Sequence, residues 1–414
     1  MKEKTVLLGL FMAVCAMSSA QEILTLDNPE ILTTDVDKQG YGYCAVFSND
    51  TLFVSGTSTM VESVVDSYVM TSDGAKKIGT IREGGVKNRS FFGSKIFASG
   101  GRLGVLASTK KYFYLYEKSA TGVSEQPVDS ISRSAATMYL DMAGQYYVTS
   151  EKCTLMVKKL VGNKHENVFA RGTNVEAPCA MDGKVLCYID TELDSDKAVV
   201  DTVLRIVEDP EEAFKLFDTL EESISVVSLA GYGGFSSLPN LRLDINGDRI
   251  VIGMSSLSNR ILVIDKLSTG WTVTNVIDKQ PDVENFWGFS LCLSDKNTLA
   301  IGCNRKGDNF IYKCIDGEWK PSMRLVSDYE SGWVVACNGR YFVTTNNVFK
   351  GVNNDMSNAG CVMLYDLNVS DLPISDIRVD DESDSGEAYD LYGRKVDDTY
   401  KGLMIKGGRL ILKK

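Results

Sequence analysis

The chain has 414 residues, 44% hydrophobic and 24% charged, with a formal net charge of −11. An acidic chain without a basic stripe excludes nucleic acid as a partner, because phosphate contacts dominate that affinity. Beyond the N-terminus no stretch approaches ~18 uninterrupted apolar residues, which excludes a helical membrane span.

Residues 1–20 read as a secretory signal peptide. Lys2 and Lys4 make a charged start, residues 6–15 an apolar run, and Ser18, Ser19 and Ala20 supply small residues before Gln21. A lipid anchor on Cys15 is the competing start, and Val14 is a poor residue to precede it. The expected location is secreted or cell-surface, with the periplasm as the alternative.

From about residue 22 a unit of roughly forty residues recurs seven times. Each unit carries an apolar run, a tight polar or glycine turn, a second apolar run and a third run with aromatic or aliphatic residues. The stretches 91–119 and 286–328 show it most plainly. The turns fall at Asn49-Asp50, Gly100-Gly101, Ala143-Gly144, Asp182-Gly183, Asn246-Gly247, Asp295-Lys296 and Asn338-Gly339. Such pairs tolerate the positive φ of two-residue hairpin turns. A unit this short cannot bury its own apolar face and must stack on neighbours. Four strands per unit and seven units predict an all-β fold, a seven-bladed β-propeller. Residues 211–220 have helical character but occupy the place of a fourth strand. The seventh unit ends after its third run, at residues 361–367. Residues 29–32 mirror the fourth run of unit six, so the N-terminal strand is expected to complete the last blade and remove two open sheet edges.

Three chemical constellations need weighing. Asp244, Asn246, Gly247 and Asp248 approach a calcium loop, but Arg249 and Ile252 stand where a glycine and the closing carboxylate belong. A plain hairpin turn is the expected role. Asp190, Glu192, Asp194 and Asp196 alternate, so an extended loop would put them on one face; a solvated acidic loop is expected. Asn353, Asn354 and Asp355 read as turn chemistry. No metal ligands, cofactor-binding residues or catalytic residues are therefore assigned. His165, the one histidine, reads as a neutral loop-tip residue, which leaves no base for Ser/His or Cys/His catalysis. No P-loop and no glycine fingerprint before a helix support a nucleotide.

Ten cysteines fall to nine once Cys15 is removed, and nine cannot all pair. Cys44, Cys292 and Cys337 read as small buried hydrophobes, while Cys303 and Cys314 could meet across a hairpin. The longest connections, residues 57–65, 190–197 and 346–358, all join second and third runs. They are expected to share one rim and form the binding face. Trp287 and Trp333 stand where blade-packing aromatics belong.

The units resemble FG-GAP repeats, the blades of integrin-α-type propellers. Phe92-Gly93 and Trp287-Gly288 match the unit start, and residues 250–253 and 299–302 match the run after the turn. Residues 360–365 match the third strand; Trp319 with 325–328, and Trp271 with 277–278, match the fourth. The resemblance spans roughly residues 22–372. Past an acidic stretch, residues 388–396, 401–405 and 406–412 form three short runs, with a turn at Gly407-Gly408. Their order resembles the C-terminal sorting segment of type IX-secreted Bacteroidetes proteins, which implies docking on export or envelope machinery. The expected organisation is a signal peptide (1–20), a propeller (21–374), an acidic linker (375–387) and a sorting-type β segment (388–414). The function expected is non-catalytic binding of a protein or glycan. The alternatives are a structural component of the envelope and a polysaccharide-active enzyme using a carboxylate pair.

Overall fold

The structure is a computed structural model. It describes residues 23–82, 90–110, 112–119, 122–132, 139–161, 164–215, 217–232, 241–255, 258–283, 286–303, 308–351 and 356–368, together with C-terminal strands at 388–390, 395–396, 402–406 and 409–413. The expected signal peptide, the acidic linker and the turn at Asn353, Asn354 and Asp355 lie outside the described residues.

Seven antiparallel sheets follow one another in chain order. Their innermost strands begin at Tyr41, Phe92, Tyr139, Cys179, Arg242, Ser290 and Val335. Each inner strand pairs with a second strand that is buried almost throughout, as in Tyr146–Glu151 and Tyr341–Asn346. Outer strands alternate instead, as in Gly74–Arg82, with exposed Lys76 and Lys77 beside buried Ile81. The gradient follows from position, since a second strand is covered by its own sheet and by a neighbouring blade on each face. The apolar clusters accordingly run between blades. Leu204 and Ile206 of blade 4 pack with Ile250 and Ile252 of blade 5. Phe53 and Val65 of blade 1 pack with Phe92 and Val105 of blade 2. A β-bulge recurs between third and fourth strands in blades 1, 3, 5 and 6, which adds local twist at the outer edge.

The N-terminal latch is present and is double. Glu30–Thr33 pairs antiparallel with Cys361–Asp366, placing Ile31 opposite Met363 and Leu32 opposite Val362. Before it, Leu24–Leu26 runs parallel to the outer strand of blade 6, with Leu24 beside Met323 and Leu26 beside Leu325. That three-residue strand has no legible period and is absent from the sequence reading. The segment therefore joins the outer strands of blades 6 and 7.

Blade 7 meets blade 1 through bare backbone. The Tyr41 amide donates to the Ala359 carbonyl at 2.8 Å. A Cβ on Gly360 would stand 2.1 Å from the Tyr41 carbonyl oxygen, and one on Gly42 would stand 2.5 Å from that of Cys361. Both glycines also have positive φ, +83° and +79°. Any side chain here forces the seam apart.

Two local expectations are corrected. A short helix (Pro210–Lys215) and a 3₁₀ turn (Phe217–Ser223) do not replace the fourth strand of blade 4. They are inserted ahead of it, and Ile224–Ser228 completes the sheet. The C-terminal unit holds four strands rather than three, because its first run folds back on itself: Ala388–Asp390 pairs with both Lys395–Val396 and Gly402–Lys406, and the latter with Arg409–Lys413.

Candidate binding rim and central channel

Connections between second and third strands, and those between successive blades, all emerge on one rim. Three of these segments interlock at the seam of blades 7 and 1. The Lys38 amide donates to the Ser357 carbonyl, and the Ser357 amide donates to Asp37 Oδ1 at 2.6 Å. Gln39 Nε2 donates to the carbonyl of Glu62, also at 2.6 Å. Ser58 Oγ accepts from the amides of Met60 and Val61, which ties the loop between Gly56 and Val64 into a fixed turn. Held in this way, Met60 is left 65% exposed. Blade 4 lies across the ring. There Asp194 Oδ1 accepts from the amides of Asp196 and Ala198 and closes a turn that presents Val199 and Val200, 61% and 59% exposed. Those are the three most exposed large hydrophobic residues of the described chain.

The acidic run of blade 4 is divided: Asp194 and Asp196 stand exposed in the turn beyond the strand, as expected of a solvated loop, and the two acids before them do not. Asp190 and Glu192 lie on the strand Val185–Leu193, where Asp190 is 3% exposed. Both face Arg205 on the next strand, at 3.6 Å and 3.4 Å. Strand pairing continues to Leu193 opposite Val199, so Asp190 and Glu192 act as cross-strand partners of one cation.

Inner-strand side chains line the central channel. Asp141 accepts from the amides of Met142 and Met181, each at 2.8 Å. Asp244 accepts from Ile245 at 2.9 Å and from Leu293 of the next blade at 2.6 Å. Cys292 Sγ accepts from the Cys337 amide at 3.3 Å. Each bond crossing to the next inner strand ties two blades at the axis. Both carboxylates are walled by protein. Burial raises Asp141 to about 6 and Asp244 to about 7, against the pull of those amides, and Asp141 adds a like-charge push on Asp244.

Asp244 thus serves as a latch between blades 5 and 6. Asn246 turns its amide toward the carbonyls of Leu293 and Ser294, and the Gly247 amide donates to Asp182 at 2.7 Å. Among the described residues no group of His, Cys, Asp and Glu could hold a metal ion.

Nearer the rim the channel changes character. Tyr139 and Arg242 precede Asp141 and Asp244 by two residues on their strands, so they share the same face one pleat away. Lys95 Nζ lies 5.5 Å from the Tyr139 ring centre. The Arg242 guanidinium lies 5.3 Å from that of Phe289, and Phe289 meets Trp333 edge-on at 5.9 Å. All five are partly exposed. Burial lowers both Lys95 and Arg242, and the Arg242 charge lowers Lys95 further. Trp287, by contrast, is fully buried against Phe310 and Tyr312 within its own blade.

His165 lies on the strand Lys164–Gly172 and not at a loop tip. Its Nε2 is 2.6 Å from Asp129 Oδ2 of blade 2, and its Nδ1 is 3.1 Å from the Tyr147 hydroxyl. The outer strand of blade 2 is split into Gly122–Val123 and Asp129–Ser132. Between blades 2 and 3 lies a cavity of about 220 Å³, lined by Phe113, Leu140, Tyr147, Glu151, Met156 and Lys158 among others. Burial, with the Asp129 charge, pushes the Tyr147 phenol up, which makes it a poor acid. The histidine therefore joins two blades.

The cysteines of the described chain are all free thiols. Cys303 and Cys314 cannot bridge, because Gly302 pairs with Asn309, which sets Cys314 at the far end of the hairpin, roughly 20 Å along the strand. Of the three expected buried thiols, Cys337 is buried while Cys44 and Cys292 are only partly so, as channel-lining residues.

No protein-family model and no curated protein matches this sequence. Solved structures do resemble its fold. The β-propeller domain of Cps50 (Swd1) from Myceliophthora thermophila is 11% identical, over 81% of this chain and 99% of that one, with a TM-score of 0.52. The WD40 domain of Neurospora crassa Pan2 is 12% identical over 84% and 95%, with a TM-score of 0.51. A chain of a mitotic checkpoint complex is 12% identical over 84% and 94%, with a TM-score of 0.53. At such identities the likeness concerns fold alone, and it establishes a seven-bladed β-propeller.

Proposed function

We propose that this chain is an exported, surface-facing binding module that engages a protein or glycan partner through the rim described above and catalyses nothing. The observation that carries this reading is the placement of Met60, Val199 and Val200. Three large apolar side chains stand in water, Met60 within a hydrogen-bonded turn and Val199 and Val200 at the start of the strand that follows one, and all three stand on the rim where the blade-connecting segments emerge. Exposed apolar groups on a rigid scaffold are the usual mark of a recognition surface.

Export is supported by the signal-like residues 1–20 and by the C-terminal sorting-like run, which together suggest type IX delivery to the outer surface. The FG-GAP assignment is supported by the local geometry of two unit starts. Phe91 and Phe286 have φ of 51° and 63°, each is followed by a fully buried aromatic, and Gly93 and Gly288 then take φ of 80° and 71°. Asp141 and Asp244 are the carboxylate pair an enzyme reading would need. Each oxygen of both already accepts a backbone N–H, one from the following residue and one from the next blade, so the pair supports architecture in preference to hydrolysis.

The test is binding of the full chain to extracellular-protein and glycan arrays, with Met60→Asp, Val199→Asp and Val200→Asp combined. The reading expects the triple variant to fold and lose its array signal. Unchanged binding would overturn it.

A further inference from the structure

From the cavity between blades 2 and 3 we propose a binding site for a small aromatic carboxylate, its ring against Phe113, Leu140 and Met156 and its carboxylate on the Lys158 amine and the Thr149 hydroxyl. The site lies apart from Met60, Val199 and Val200 and stands on residues that the rim function does not use.

The cavity measures about 220 Å³. Protein interiors are otherwise packed at crystal density, and a dry void of roughly 150 Å³ already accommodates a benzene ring. Room remains here for a ring with a short acidic arm. The walls come from two sheets. Phe113 and Ile131 stand opposite each other on adjoining strands of blade 2. The Phe113 ring lies over Gly104, which leaves space for it by having no side chain. On blade 3, Tyr147, Thr149 and Glu151 alternate along one strand and share a face, as do Met156 and Lys158 on the next. The ladder sets Lys158 opposite Tyr147 and Met156 opposite Thr149. Lys158 and Thr149 are therefore diagonal neighbours, a separation that a long side chain spans.

The polar groups around this cavity decide the charge of the ligand. Glu151 lies four residues beyond Tyr147, the partner of Lys158, roughly 14 Å along the ladder, and it has interactions of its own. Asp129 is held by His165 at 2.6 Å, and the same imidazole takes up the Tyr147 hydroxyl at 3.1 Å. Among the described residues, Lys158 and the Thr149 hydroxyl have neither a hydrogen-bond nor an ion-pair partner, and both residues line the cavity. Thr149 is buried, and buried hydroxyls are normally satisfied. An ammonium and a hydroxyl can both donate, and one carboxylate accepts from both. A cation would set its charge against Lys158, and a wholly apolar ligand would leave both groups unmet. Apolar walls with a few convergent polar groups are the usual composition of a small-molecule site.

The probe is sodium hydrocinnamate, with hydrocinnamyl alcohol as its uncharged counterpart, titrated calorimetrically into the full chain. Methionine-methyl NMR locates the ligand through the Met156 resonance, assigned with Met156→Leu. The expected result is about millimolar hydrocinnamate binding that moves the Met156 methyl, with the alcohol about 10-fold weaker. Lys158→Met should weaken hydrocinnamate about 10-fold and Thr149→Val about 5-fold. Thermal unfolding of each variant without ligand shows whether its fold is intact. Lys158 is partly exposed, so its variant decides the matter if Thr149→Val does not fold. No binding, equal binding of acid and alcohol, an unmoved Met156 methyl, or unchanged affinity in Lys158→Met overturns the proposal.

Discussion

Leu32→Ala is the sharpest probe of how the ring is held. Leu32 is 8% exposed and sits in the cluster that contains Tyr41, Val343, Val362 and Leu364. The substitution removes three side-chain carbons, worth about 0.8 kcal/mol each in lost transfer energy. A residual cavity brings such changes to about 3 kcal/mol. With roughly 2.1 cal/mol/K of unfolding entropy per residue over about 345 residues, the midpoint falls by roughly 4 °C. Thr25→Ala, on the exposed side of the preceding strand, should shift it by less than about 1 °C. Calorimetry measures both, and hydrogen exchange at Val362 and Leu364 locates the loss. A chain lacking residues 21–33 bares the edge of Cys361–Asp366 and should self-associate on a sizing column. If Leu32→Ala melts within about 1 °C of the parent, with exchange at Val362 unchanged, the latch does not hold the ring and the argument fails.

Two further outcomes follow from buried carboxylates. Asp66 is 4% exposed and accepts from Tyr41 at 3.0 Å, Lys77 at 2.7 Å and Thr80 at 2.6 Å. Asp66→Ala removes all three bonds and should cost about 3 kcal/mol, read by denaturant titration. For Asp141 and Asp244 the folded-state values, about 6 and about 7, stand above the ordinary aspartate value. The folded state therefore binds more protons than the unfolded chain between pH ~4 and ~7. Their contribution is largest below that window and is lost as pH rises through it. The double variant Asp141→Asn, Asp244→Asn should flatten the decline of melting temperature over that range. An equal decline in parent and variant would refute the assignment.

Much of the architecture was legible because repeats encode it locally. Turn pairs such as Gly100-Gly101 lie between paired strands where expected, and the missing fourth run of unit seven pointed to the N-terminal strand. Other turns, such as the one at Gly183, fall one residue later than expected, since an apolar pattern does not mark the last ladder pair. The connections of blades 1 and 7 were also visible as long insertions between second and third runs. In blade 4 the strand instead runs on to Leu193, because Arg205 gives its acids a cross-strand partner that sequence order conceals.

By itself the sequence determined the number of sheets, the position of the turns to within about a residue and the role of the strand at residues 30–33, because each depends on neighbouring residues and on one rule, that an apolar face must be covered. Only the tertiary structure decided what meets at the axis and between blades. Lys95, Tyr139 and Arg242 are separated by scores of residues, as are Asp129 and His165 by 36. Such groups meet only when the ring closes and sets inner strands at fixed spacing, a condition that no local pattern of side chains expresses.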